Sequence, residues 1–204
     1  MIKKTLNQNA KYAQEFMKTI ETDFIFSDKP INRFKVDSAE NKETSISKNG
    51  LLNDLKTKIN SIENCNLKNN SKNLVLGEGN INADVMLIGE TPGEIEDETG
   101  LCFQGEVGNL LNKMLLAIDI KRENIYTTYS INFRPPEDRK PTGQEIKRYA
   151  IFLKEHIAII DPKILILMGS TAMEAITGLS KISNERGKWK EIILKNKTIP
   201  IMIS

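Results

Sequence analysis

Residues that bind metals or carry redox chemistry are scarce in this chain. Its 204 residues include two cysteines, Cys65 and Cys102, and one histidine, His156. Two thiols make neither a disulfide framework nor, alone, a tetrahedral metal site. No apolar run reaches membrane-spanning length. The first residues, MIKKTLNQNAKYAQEF, turn polar at once and lack the apolar core of a signal peptide. A cytoplasmic, monomeric protein with no membrane partner is expected. Excess charge is also lacking. The net charge is +2, so any affinity for nucleic acid has to come from a local patch. Internal repeats are absent. The length suits one domain with an N-terminal extension.

What is present is strand–helix alternation. Asn9 to Ile20 reads as a short helix, and residues 21–50 as a polar linker. A domain is therefore expected over 51–204, behind an extension over 1–50. Leu51, Leu52, Leu55, Ile59 and Ile62 form a helical stripe. Strands are expected at 85–89, 125–130 and 163–168, with last candidates at 191–194 and 199–203. Helices are expected at 106–118, from Thr142 to about Ile160, and at 171–177. In the first of these, Val107, Leu110, Leu111, Met114, Leu115 and Ile118 are expected to face the sheet. Thr142 and Glu145 form a capping box. Repeated strand–helix units predict an α/β fold with a parallel sheet covered on both faces.

The densest stretch is Asp84–Leu111, DVMLIGETPGEIEDETGLCFQGEVGNLL. An apolar strand ends in Gly89-Glu90-Thr91-Pro92-Gly93. An acidic loop follows, then Phe103, and Gly105 and Gly108 lead into a helix. Open α/β sheets build binding sites in this way, at the carboxyl ends of their strands. The run resembles the first motif of the family-four uracil-DNA glycosylases, GEAPG followed by ED and F-x-G-x-x-G-x-LL. IYTTYSINFRPPEDRKPT, DPKILILMGSTAMEAITG and Arg186-Gly187-Lys188-Trp189 are similar to further family segments. The resemblance runs from about Leu51 to Ser204.

It implies a three-layer α/β/α sandwich with a central, mainly parallel sheet. It also implies hydrolysis of the N-glycosidic bond of a uracil flipped out of DNA, with uracil-containing DNA as partner. By this resemblance Phe103 stacks the base, with Gly89, Gly93 and Tyr129 as its other contacts. Glu90 orients the attacking water or steadies the sugar cation, and Thr91 is a weak water ligand. Backbone N–H groups between Glu90 and Gly93 face the uracil oxygen. Gly105, Gly108, Arg134, Arg139, Ser170 and Thr171 are the expected DNA contacts. Glu94, Glu96, Asp97 and Glu98 read as loop-ordering or solvated acids.

The chain also departs from the family. The four cysteines that would hold an iron–sulfur cluster correspond to Ile62, Cys65, Phe133 and Tyr149. With Cys65 alone, no cluster and no other metal is expected, and packed side chains should fill the space. The asparagine that would read the uracil edge falls on Tyr129. Asn132, three residues away, does not take over its role. The family's second catalytic motif, His-Pro-Ser or His-Pro-Ala followed by leucines, would begin just beyond Ser204, so the domain reads as C-terminally incomplete. His156, late in its helix, is expected to partner the helix dipole rather than take part in catalysis. Two other readings fit these residues: a catalytically weakened DNA-binding remnant of the family, and a nucleotide-binding α/β domain.

Overall fold

The computed structural model describes residues 47–204. The helix expected at Asn9–Ile20 lies outside the described residues. Helix α1, Lys48–Asn60, starts behind Ser47, whose Oγ accepts the Gly50 N–H at 3.2 Å. It buries Leu52, Leu55 and Ile59, most of the stripe the periodicity marks. A short α2, Asn66–Asn70, precedes strand β1, Gly77–Gly79.

Strands β2 (Val85–Gly89), β3 (Tyr126–Tyr129), β4 (Ile164–Leu167), β5 (Trp189–Leu194) and β6 (Lys197–Ile203) complete one sheet, in the order β1-β3-β2-β4-β6-β5. The central pairs β2–β3, β2–β4 and β4–β6 are parallel. Both edges, β1 and β5, are antiparallel. β5 and β6 form a hairpin through Lys195 and Asn196, both left-handed (φ 46° and 63°). That is the backbone a two-residue hairpin turn demands.

Alternation along the strands builds two cores. Met86 and Ile88 of β2, with Leu165 and Leu167 of β4, pack with residues of α1, of α5 (Gly143–Ile160) and of α6 (Ser170–Thr177). Val85, Leu87 and Ile166 point the other way, towards Leu111 and Leu115 of α4, Gly105–Ala117. The result is the expected three-layer arrangement. At the start of α5, Thr142 Oγ1 accepts the Glu145 N–H at 3.3 Å, and Glu145 Oε2 accepts the Thr142 N–H at 2.7 Å. Among the described residues no helix is long and apolar enough to cross a membrane.

Two expectations change. The acidic loop after Gly93 is a helix, α3, Glu94–Thr99, closed by left-handed Gly100 (φ 74°). Helix α4 buries only Gly108, Leu111 and Leu115. Val107, Leu110, Met114 and Ile118 are 56–65% exposed rather than facing the sheet. The cause is Gly108: a Cβ there would lie 1.8 Å from the Phe103 carbonyl oxygen. This contact sets the helix's rotation and leaves it a narrower buried stripe than its periodicity allows.

Candidate active site

The parallel strands β2, β3 and β4 end together, and the turn after β2 is anchored to both neighbours. Ser130 donates its N–H to the Gly89 carbonyl at 2.8 Å and its hydroxyl to the Glu90 carbonyl at 2.5 Å. Ile131 adds an N–H bond to the same Glu90 carbonyl at 3.2 Å. The Glu90 side chain reaches the other way. Its Oε1 accepts the Ser170 hydroxyl at 3.0 Å and the Thr171 N–H at 2.8 Å. A carboxylate at a helix N-terminus is favoured by the exposed amides and the dipole. Gly169 allows the approach, because a Cβ there would sit 2.4 Å from Glu90 Cγ and Cδ. Ser170 and Thr171 were expected to meet a DNA phosphate. The anion they hold in this structure is Glu90. Thr91 and Gly93 are half-buried in the same turn, and Pro92 is buried.

Gly93 donates its N–H to Glu96 Oε2 at 3.0 Å, so that amide is already engaged. Pro92 has no N–H. The expectation that the whole turn offers amides to a uracil oxygen therefore narrows to Glu90 and Thr91. Glu96 also accepts the Gln104 N–H through Oε1 at 2.9 Å. Asp97 accepts the Lys72 and Asn73 N–H groups at 3.0 and 3.1 Å. Both acids are buried and order the loops on either side of α3, whereas Glu94 and Glu98 are exposed.

Phe103 follows this helix in a left-handed conformation, φ 51°. It is only 7% exposed and belongs to the smaller core. Its ring stacks on Tyr129, with centroids 4.9 Å apart and planes at 26°. Its N–H donates to the Tyr129 hydroxyl at 2.9 Å. The Arg122 guanidinium lies 5.6 Å from its centroid. Tyr129 pairs in register with Gly89, and a Cβ on Gly89 would come within 2.8 Å of both rings. Burial, reinforced by the nearby Glu96 carboxylate, pushes the Tyr129 hydroxyl's pKa far up, so it stays protonated. Gly105, left-handed at φ 62°, packs close to Ile95.

The two arginines expected to meet phosphate are both paired within the chain. Arg134 holds Asp138 through Nε and Nη2 at 2.7 and 2.9 Å. Arg139 holds Glu145 through Nη1 and Nη2 at 2.9 and 2.7 Å. That fork, with the cap at Thr142, lowers the Glu145 pKa to about 2.

The sequence has matches among known proteins. Residues 76–204 match the family model for the uracil DNA glycosylase superfamily. The chain belongs to that superfamily. It is 39% identical over 119 residues to the type-4 uracil-DNA glycosylase of Thermotoga maritima, covering 58% of this chain and 62% of that protein. The type-4 enzyme of Archaeoglobus fulgidus is 33% identical over 156 residues, 74% of this chain and 78% of its own length. That of Sulfurisphaera tokodaii is 35% identical over 148 residues, 68% and 67% respectively.

The residues that the resemblance aligns with the family-four cluster cysteines do not fit an iron–sulfur group. The Tyr149 hydroxyl lies 3.3 Å from Cys65 Sγ, and the Phe133 ring meets Tyr149 edge-on, with centroids 6.3 Å apart. All three, with Ile62, belong to the larger core. One thiol, a phenol, a phenyl ring and an aliphatic chain supply no four-thiolate set. His156 is corrected too. It is 2% exposed, with Nε2 bonded to the Tyr126 hydroxyl at 2.9 Å. Burial lowers its pKa to about 4, so it carries no charge to offer the helix dipole. Asn132 donates to the Val75 carbonyl at 2.9 Å and serves the fold.

Sequence reasoning missed Arg122 and Ser130. Arg122 bonds Glu78 at 2.9 Å, Thr127 Oγ1 at 3.0 Å and the Cys102 carbonyl at 3.2 Å, and it lies against Phe103. Nothing in Lys121-Arg122-Glu123-Asn124 marks it out. Glu96 did carry a signal, since it stands at the third position of a helix opened by a glycine.

Proposed function

We propose that this chain is a DNA glycosylase that hydrolyses the N-glycosidic bond of a uracil turned out of DNA, as a step of base-excision repair. The observation that carries the reading is Glu90, held at the meeting point of β2, β3 and α6. Both of its partners bind Oε1, which leaves Oε2 to take a water. The base enters beside Phe103, and leaving the stack costs roughly a few kcal/mol. As the C1′–N1 bond breaks, its electron pair leaves with the uracil and the sugar becomes cationic. The Glu90 carboxylate opposes that positive charge, and the amides of Glu90 and Thr91 answer the negative charge on the uracil oxygen. The water oxygen then joins C1′ and gives its proton to Oε2. DNA phosphates are taken up at the start of α4, by the amides of Gly105 to Val107, and by the Arg134–Arg139 turn in exchange for its Asp138 and Glu145 partners, so binding weakens as salt rises.

The test is single-turnover excision from a uracil-containing single strand. Glu90→Gln keeps the shape and removes the charge. It is expected to slow excision by on the order of a hundredfold with little change in DNA affinity. An unchanged rate removes Glu90 from the chemistry.

A further inference from the structure

A flipped pyrimidine needs two things beside Phe103: the ring face, for stacking, and a donor for its carbonyl oxygen. In this structure both belong to Tyr129. Its ring lies on Phe103 at 4.9 Å and its oxygen accepts the Phe103 N–H at 2.9 Å. An aromatic ring carrying an oxygen acceptor is what a uracil would present. The neighbouring donors are taken as well, since the amides of Gly93 and Gln104 both point into Glu96. Phe103 and Tyr129 are 7% and 5% exposed, so little of either face remains for a ligand.

We infer that Tyr129 sits in the base's own seat and acts as an intramolecular competitor of the flipped uracil. This rests on the glycosylase reading of the site. A base gains the Phe103 face and N–H only after the Tyr129 ring has moved away. The apparent affinity for the base is therefore reduced by the fraction of molecules in which the seat is open. Tyr129 thus sets how often the seat is open: an open seat takes a pyrimidine, a closed one takes none. Gly89, by having no side chain, is what lets the tyrosine ring come down on Phe103.

The experiment compares the wild-type chain with Tyr129→Ala and Tyr129→Asn, and the ligand probe is free uracil followed by calorimetry. Excision from a uracil-containing single strand is measured beside it, and folding is monitored by circular dichroism. The expected result is uracil binding in the variants at least about tenfold tighter than in wild type, given the stack and hydrogen bond that must otherwise be broken. Excision is expected to accelerate by a similar factor in Tyr129→Asn. If the alanine variant does not fold, the asparagine variant decides, since it takes the ring and hydroxyl off Phe103 while keeping a polar side chain at the end of β3. A folded variant with no gain in uracil binding overturns the inference and makes Tyr129 an ordinary core residue. The glycosylase reading fails separately: variants that bind uracil but never release it from DNA leave the seat assignment standing and remove the reaction.

Discussion

Lowering the pH from 7 to 4 sets the protonation of His156 against the fold. The ring is 2% exposed and its hydrogen-bond partner is the Tyr126 hydroxyl at 2.9 Å. Burial disfavours the imidazolium and lowers the pKa from the ordinary 6.5 to about 4. In the unfolded chain the ring takes its proton near 6.5. Between those two values the unfolded state binds more protons than the folded one. The stability contributed by the neutral ring is therefore complete above pH 6.5 and is lost as the pH falls towards 4. At about 1.4 kcal/mol per pH unit, that interval is worth roughly 3 kcal/mol. His156→Gln removes the titration and keeps an amide able to bond Tyr126. The assay is urea denaturation followed by circular dichroism, at several pH values from 4 to 7.5. Carboxylates such as Glu145 also lose their pairing in acid, but they do so in both proteins and cancel in the difference. The stability difference between wild type and His156→Gln should shift by roughly 3 kcal/mol across the range. Parallel curves would refute a buried, neutral His156.

Phe103→Ala should cost about 3–5 kcal/mol of stability, because the ring is buried in the smaller core. Chemical denaturation checks this, and a loss well under 1 kcal/mol would return Phe103 to the surface of an open pocket. Gly108→Ala drives a Cβ into the Phe103 carbonyl, at 1.8 Å. Since backbone rather than a flexible side chain must yield, a loss of at least about 3 kcal/mol is expected, seen as a lowered denaturation midpoint.

The sequence exposed the alternation of strands and helices because each element carries its own period and caps. Thr142 and Glu145 were legible for that reason: a capping box is local chemistry, three residues apart. Helix α4 was harder. Its residues form two overlapping apolar stripes, 107-110-114-118 and 108-111-115, and periodicity does not choose between them. Contact between Gly108 and Phe103 does. At the site, the Gly89–Gly93 turn and Glu90 were readable because a strand breaking into Gly and Pro is a local event. The tie from Glu90 to Ser170 and Thr171 spans 80 residues or more. That from Phe103 to Tyr129 spans 26. Such pairs are created by strand register, Gly89 against Tyr129, and spacing along the chain does not report them. His156 was misplaced for a similar reason: its position in the helix was clear, but the Tyr126 strand across from it was not.

On the proposed reading, this chain cuts between sugar and base and leaves the backbone whole. The most direct measurement is the identity of the product released from a single strand carrying one uracil, read by mass spectrometry. Free uracil and an unbroken strand with one abasic site are expected in equal amounts, formed slowly by the wild-type chain and faster by Tyr129→Asn. No free uracil from either protein, with both folded and binding the strand, would contradict that reading.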